Sequence, residues 1–299
     1  MEVVCFMQVI ALLALFMLCK GVNTVTLKRA QSGRGGFFQH MLFTFVFCIA
    51  QGLVLFLLPP YRALSFAPER LLLPFLFGSF YVVFMIFTVM ALREGPTSLT
   101  TIIGSFNPLF PIIAGLLLWG DAMRWWQIAG LLLFCAALFL FNSGSYTEAD
   151  AKKPITLKWI VLALLGLTFS GLAVICTRRY CDLYPGYIKE YLLVFCATGT
   201  LWTLPFVIWG WIGHRAELTL DRNMIVYSFA TALAVDISNI IFMLYASAFD
   251  AAFYFPLMSV LGVASVMLAG RFILKERVSR RAIAGIVVSA AALALLAVK

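Results

Sequence analysis

Charge is the scarcest property of this sequence. Asp, Glu, Lys and Arg make up 12% of its 299 residues, 63% are hydrophobic, and the mean hydropathy is +1.01. A water-soluble domain of this length covers its surface largely with polar groups, so that class is excluded. Histidine is almost absent, with His40 and His214 alone. The seven cysteines form no C-x-x-C pair. Cys5, Cys19, Cys48, Cys135 and Cys196 lie inside apolar runs, where a thiol behaves as a small hydrophobe. Such a ligand set excludes zinc and haem, and no cofactor is expected. There is no phosphate loop, no ATPase signature and no nucleophile beside a base. The chain is therefore not expected to be an enzyme, and any transport would be secondary. The net charge is +9, but the basic residues are scattered between apolar runs and form no stripe. That scatter fits lipid headgroups and membrane topology rather than nucleic acid. The opening run "MEVVCFMQVIALLALFMLCKG" has no basic leader and no small-x-small cleavage site, so it is expected to be a retained first helix.

What is present is a series of apolar runs. A spanning helix needs about 20 mostly apolar residues. Ten segments meet or approach that length: Val3–Leu27, Phe37–Leu58, Leu71–Leu92, Thr97–Trp119, Trp125–Phe141, Trp159–Thr177, Tyr191–Ile212, Met224–Ala248, Ala251–Leu274 and Ala282–Val298. The longest polar connection, "NSGSYTEADAKKP", covers residues 142–154 and divides the chain into two five-span halves, 1–141 and 155–299.

The halves resemble each other. An offset of 155 places Ile128-Ala129-Gly130 on Ile283-Ala284-Gly285 and Asp121 on Glu276. An offset of 150 places Gly21 on Gly171. A repeat unit with an odd number of spans forces its copy to enter the membrane from the other side. The expected architecture is all-α: ten transmembrane helices as two inverted five-helix repeats around a central cavity, a recurring transporter plan.

Polar residues inside the spans mark the candidate path. In the fourth span Thr97, Thr100, Gly104, Asn107, Pro111 and Gly115 are spaced by three or four and share one helix face. Pro108 and Pro111 cannot donate to the carbonyls of Gly104 and Asn107, so the reading expects a kink with two free carbonyls on that face. The alternative is a kinked helix that packs closely through small residues. In the ninth span Pro256 adds a second expected kink, beside a face carrying Phe255 and Ser259. Asp236 lies near the middle of the eighth span with Asn239 on the same side. A carboxyl at mid-bilayer costs about 2.5–3.5 kcal/mol on insertion scales and is a functional candidate by default. It can meet a substrate ammonium or carry a coupling proton; the alternative is a structural bond to a neighbouring helix. Lys20, toward the end of the first span, is the expected counter-charge or a grip for a substrate carboxylate, or else snorkels to the interface. Tyr81 is the offset mate of Asp236 and lies deep in the third span. Trp119, Trp125, Trp126, Trp159 and Trp211 are read as interfacial belts, and Glu94 and Glu190, near span ends, as solvated or interfacial.

Two stretches carry a family likeness. "REGPTSLTTIIGSFNPLFPIIAGLLLWGD", followed by "QIAGLLLFCAALFLF", resembles the fourth and fifth helices of EamA-like proteins of the drug/metabolite transporter superfamily. "FPLMSVLGVASVMLAGRFILKERVSRRAIAGIVVSAAALALL" resembles the matching second-repeat segment. The resemblance implies inverted repeats around a cavity, with helices 5 and 10 at the periphery as a homodimer contact. It implies both termini inside, whereas the Lys and Arg count places them outside. It also implies an integral multi-pass protein of a bacterial inner or plasma membrane. The functional expectation is a secondary active transporter of a small organic metabolite or drug-like solute, working with a coupling proton or ion. A channel or facilitator is the runner-up, and a membrane-embedded enzyme comes third.

Overall fold

The computed structural model describes residues 2–31, 36–58, 64–143, 155–215, 218–246, 248–273 and 279–298. All regular structure among them is helical: α1 Glu2–Gln31, α2 Phe37–Leu57, α3 Pro68–Glu94, α4 Thr97–Gly104, α5 Leu109–Ala114, α6 Trp125–Ser143, α7 Leu157–Leu183, α8 Ile188–Gly213, α9 Arg222–Tyr245, α10 Ala251–Phe272 and α11 Arg280–Ala297. The short α4 and α5, with a π-helical turn at Gly115–Trp119, together make the fourth span. Nine described stretches are long and apolar enough to cross a membrane, and Trp125–Phe141 is a shorter apolar helix. The chain is thus an integral, multi-pass membrane protein. Most of the linker and Glu276 lie outside the described residues.

Several hydroxyl groups in these spans are satisfied within their own helix. Thr44, Thr168, Thr198, Thr203 and Ser238 each donate to the carbonyl four residues back at 2.7–2.9 Å. Two helix starts are closed in the same spirit. The Asp221 carboxylate accepts from Met224 N–H at 3.0 Å, and Ser279 Oγ from Ala282 N–H at 3.1 Å.

The chain forms two compact units, and these cut across the five-span halves of the sequence. The first unit comprises residues 1–79, 179–247 and 265–275. Its core joins Leu42, Phe43, Phe47 and Ala50 of α2 with Val207 of α8 and Met224 and Ala232 of α9. One end is tied by Glu190, which is 1% exposed and ion-paired to Arg70 Nε at 3.0 Å. The Arg70 guanidinium also stacks 4.0 Å from the centre of the Tyr187 ring. Glu190 is therefore buried rather than solvated, and the adjacent cation offsets part of the cost of burying the carboxylate. Glu94 is exposed and pairs with Lys158 at 2.6 Å.

The second unit comprises residues 80–178, 248–264 and 276–299. Ala91, Trp159, Leu162 and Ala163 form part of its core. Trp159 is 3% exposed and lies on Gly95, where any Cβ would strike its ring, so it is a packing residue and not part of an interfacial belt. Trp125 and Trp211 are exposed.

In the second unit α6 and α11 pack together along matching stripes. The buried positions Gln127, Gly130, Phe134, Ala137 and Phe141 fall, at an offset of 155, on the buried Ala282, Gly285, Ser289, Ala292 and Leu296. Gly130 receives Leu296, and Gly285 receives Phe141. Each glycine is thus the notch for the offset mate of the other's partner, a reciprocity that two-fold contacts produce. A second correspondence links the units by sequence alone. Gly21 is the notch for Ser265 and Ala269, and Gly171 is the notch for Phe110. Gly171 is the mate of Gly21 at offset 150, and Ser265 that of Phe110 at offset 155.

Candidate functional site: a buried acid and a broken span

In the first unit Asp236 lies in the middle of α9 at 0% exposure. Its neighbour is Gln51 of α2, also at 0%, whose Nε2 donates to Asp236 Oδ1 at 2.9 Å. Asp236 Oδ2 and Gln51 Oε1 are buried and have no hydrogen-bond partner. Cys48 of α2 and Cys196 of α8 lie within electrostatic reach of the carboxyl. Three helices therefore close around one acid. Asn239, half-buried, follows Asp236 on the same helix.

Lys20 is not the counter-charge. Its Nζ lies 5.3 Å from the centre of the Phe16 ring, and its electrostatic neighbour is Cys19. A neutral amide serves Asp236 where a lysine was expected, which avoids desolvating a second charge. Gln51 was passed over in the sequence. The signal was available, since a lone glutamine in "FCIAQGLVLF" is as out of place in lipid as an aspartate.

In the second unit the fourth span breaks in its middle. Residues 105–108 form a turn between α4 and α5. The backbone there tightens to bonds three residues apart. Phe106 N–H donates to Ile103 C=O at 3.1 Å, Asn107 N–H to Gly104 C=O at 3.3 Å, and Phe110 N–H to Asn107 C=O at 3.2 Å. The carbonyls of Gly104 and Asn107 are therefore not free, contrary to the sequence reading. Each proline removes the donor four residues on, and the chain turns more sharply so that the donor three residues on replaces it. The far end of the span closes on Gly115. The N–H groups of Gly120, in the left-handed region at φ 73°, and of Asp121 both donate to its carbonyl. The Asp121 carboxylate folds over Gly115, where a Cβ would collide with it.

The side chains of the broken span face different ways. Asn107 is half-buried, and its Nδ2 donates to Ser170 Oγ of α7 at 2.9 Å. Thr100 is buried; it donates to Pro96 C=O and accepts from Trp159 Nε1, both at 2.9 Å. Gly104 is half-buried, and a methyl placed on it meets no atom within 4 Å. Tyr81 is half-buried with its ring 6.1 Å from that of Phe84, and Phe255 is buried 5.9 Å from the Tyr254 ring. Ser259 is half-buried in α10, which runs unbroken through Pro256. The candidate residues thus fall into two sets. Lys20, Asp236 and Asn239 belong to the first unit; Tyr81, Thr100, Gly104, Asn107, Phe255 and Ser259 belong to the second. Trp159 and Ser170, which hold Thr100 and Asn107, were not foreseen; both owe their role to the register of α7 against the fourth span. No group of three or more His, Cys, Asp or Glu that could hold a metal occurs among the described residues.

Residues 7–143 match the model of the EamA-like transporter family. One solved crystal structure of a protein is similar in fold, with a TM-score of 0.68 at 15% identity over 96% of this chain and 98% of that one. No curated protein matches.

Proposed function

We propose that this EamA-like membrane protein, whose family match lies in residues 7–143, is a secondary active transporter of a small organic metabolite or drug-like solute. It works by alternating access, with inverted five-span halves that rock against each other. The observation that carries the reading is the break at residues 105–108. Irregular backbone at membrane depth is tolerated where protein or a water-filled cavity covers it, and broken helices beside a midplane site recur in secondary transporters. Asn107 presents an amide at the break, and Gly104 stands beside open space. Lys20, Asp236, Asn239, Tyr81, Thr100, Phe255 and Ser259 are the further substrate or coupling residues. The matching buried stripes of α6 and α11 support the two-fold relation of the halves. The outer faces of the same helices carry exposed Ile128, Leu132, Ile283 and Val287, which suit lipid or the homodimer contact.

The test is a ligand-stabilisation screen of the purified protein across amines, amino acids, nucleosides and sugars. A solute that binds only the folded state raises the melting temperature by mass action. A stabilising solute should then show saturable flux in proteoliposomes. Linear, non-saturating flux would support a channel instead, and no stabilisation by any class would remove the basis for a solute site.

A further inference from the structure

A buried acid beside a buried amide leaves a specific deficit of donors. Gln51 Nε2 serves Asp236 Oδ1, while Asp236 Oδ2 and Gln51 Oε1, on the same two groups, are both acceptors with nothing to accept. Were the acid ionised, a full negative charge would lie at 0% exposure with one neutral N–H to stabilise it. Such a charge, unpaired, costs far more than a polar group that is hydrogen-bonded. Among the described residues no cation bonds the carboxyl, since Oδ1 is served by Gln51 and Oδ2 has no partner. Cys48 of α2 and Cys196 of α8 face the carboxyl, and Lys20, the charged residue within the apolar run of α1, keeps company with Phe16 and Cys19 instead. One added proton resolves both problems. On Oδ2 it removes the charge and creates an O–H, the donor that Gln51 Oε1 lacks. The acid and the amide then make two hydrogen bonds in one ring, of which the 2.9 Å bond is the half already in place.

We propose that Asp236 and Gln51 form a proton-binding site, with the proton held on Asp236 Oδ2 and Gln51 as the residue that positions it. The proposal rests on the reading as a secondary transporter and names its coupling ion. The carboxyl is enclosed by α2, α8 and α9, so it takes a proton rather than a substrate ammonium. Gln51 acts through Asp236 and touches no substrate. On deprotonation the Gln51 amide loses one of its two bonds to α9, which ties the occupancy of the site to the fit of α2 against α9.

Infrared spectroscopy of the full-length purified protein tests this without any solute, so its failure is separate from a failure to find a transported compound. The protein is labelled with carboxyl-13C aspartate. Of the six aspartates, Asp121, Asp182, Asp221 and Asp250 are exposed and Asp150 lies outside the described residues, so a protonated carboxyl band at neutral pH that shifts with the label and persists in Asp150→Asn belongs to Asp236. The expected band is present at neutral pH and moves in D2O. It disappears reversibly as the pH is raised over the range in which the protein stays folded. It is absent from Asp236→Asn and changes frequency in Gln51→Leu, because the O–H has lost its acceptor. Asp236→Asn keeps the geometry, since its amide can donate to Gln51 Oε1 as the protonated acid does; if it nonetheless fails to fold, the isotope shift together with an unchanged band in Asp150→Asn makes the assignment. An Asp236 ionised throughout the neutral range overturns the site. A band that neither exchanges deuterium nor titrates in the folded protein makes Asp236 a static structural acid, which overturns the coupling role. A band indifferent to Gln51→Leu overturns the assignment of Gln51.

Discussion

The fourth and ninth spans occupy the same place in the two halves of the sequence, and both carry proline, yet only one is broken. The ninth runs as a single helix, Ala251–Phe272, through Pro256. The fourth is α4, a turn at 105–108, α5 and a π-helical turn. Proline alone does not explain the difference, since Pro74 in α3 and Pro205 in α8 also lie inside continuous helices. A single proline removes one donor, and the rest of the helix holds its register. Pro108 and Pro111 remove two donors within one turn, and the second falls where the chain would recover from the first. The backbone then takes the tighter three-residue pattern and restarts as a new helix at Leu109. The break is a property of the proline pair, placed beside Asn107.

The largest expected effect comes from giving the ninth span the same pair. Ser259→Pro sets a second proline three residues after Pro256, in the middle of a helix that now has one. A proline in a helix interior costs about 3 kcal/mol or more, so the folded fraction in detergent and the melting temperature should fall sharply. Ser259→Ala is the control and should fold normally. If Ser259→Pro is tolerated with an unchanged melting temperature, the pair is not what breaks the fourth span.

Next in size is Asn107→Leu, which separates the polar break from its smooth counterpart. At offset 155 the mate of Asn107 is Gly262, which has no side chain to bond. Removing the amide leaves Ser170 Oγ without its donor, at a cost of about 1–2 kcal/mol for a buried group. Leu suits lipid and packed interfaces alike, so insertion should be unaffected. Solute binding, read as ligand-induced stabilisation, should be lost. Retained binding with the same small loss of stability would make the Asn107–Ser170 bond a structural tie alone.

The spans themselves were legible because composition decides them. A run of 20 apolar residues has one stable solution in lipid, and the described helices fall where the runs do. The trigger of the break was legible too, in the two prolines. What escaped was where each polar side chain finds its partner. The sequence offered Asp236 a lysine because opposite charges attract, but it could not rank Lys20 against Gln51 without the rotation of α1 and α2 about their axes. Glu190 and Trp159 were misplaced for a related reason. Position along a span says how near the interface a residue lies, whereas burial depends on which neighbour covers it, Arg70 for the one and Gly95 for the other.

A smaller effect, opposite in sign, comes from making the fourth span like the ninth. With both Pro108→Ala and Pro111→Ala the donors four residues after Gly104 and Asn107 return in place of those three residues on, at a net gain of at most about 1 kcal/mol because bonds are exchanged rather than added. Amide hydrogen exchange across residues 105–112 should slow as the turn anneals into one helix. Transport should fall together with the gain in stability, if the break serves the solute path. Slower exchange with unchanged flux would show that the break is dispensable for transport.

The smallest effect separates what the two spans share from what distinguishes them. Gly104 and Gly262 both stand beside open space, since a methyl on either meets no atom within 4 Å, but Gly104 ends a short helix while Gly262 lies inside a long one. Glycine in a helix interior costs roughly 0.5–1 kcal/mol relative to alanine. Gly262→Ala should therefore raise stability by about that amount, and Gly104→Ala by less, because the backbone after Gly104 leaves the helix whatever its side chain. Thermal unfolding of the two variants under one condition measures the difference. Larger residues turn the pair into a probe of the space itself. Gly104→Leu and Gly262→Leu extend into that space from a Cβ that meets no neighbour, and both are expected to fold. Each should abolish ligand-induced stabilisation if the solute occupies that space. If both variants fold and bind as the native protein does, the open space at these glycines belongs to lipid, and the path of the solute must be sought away from both spans.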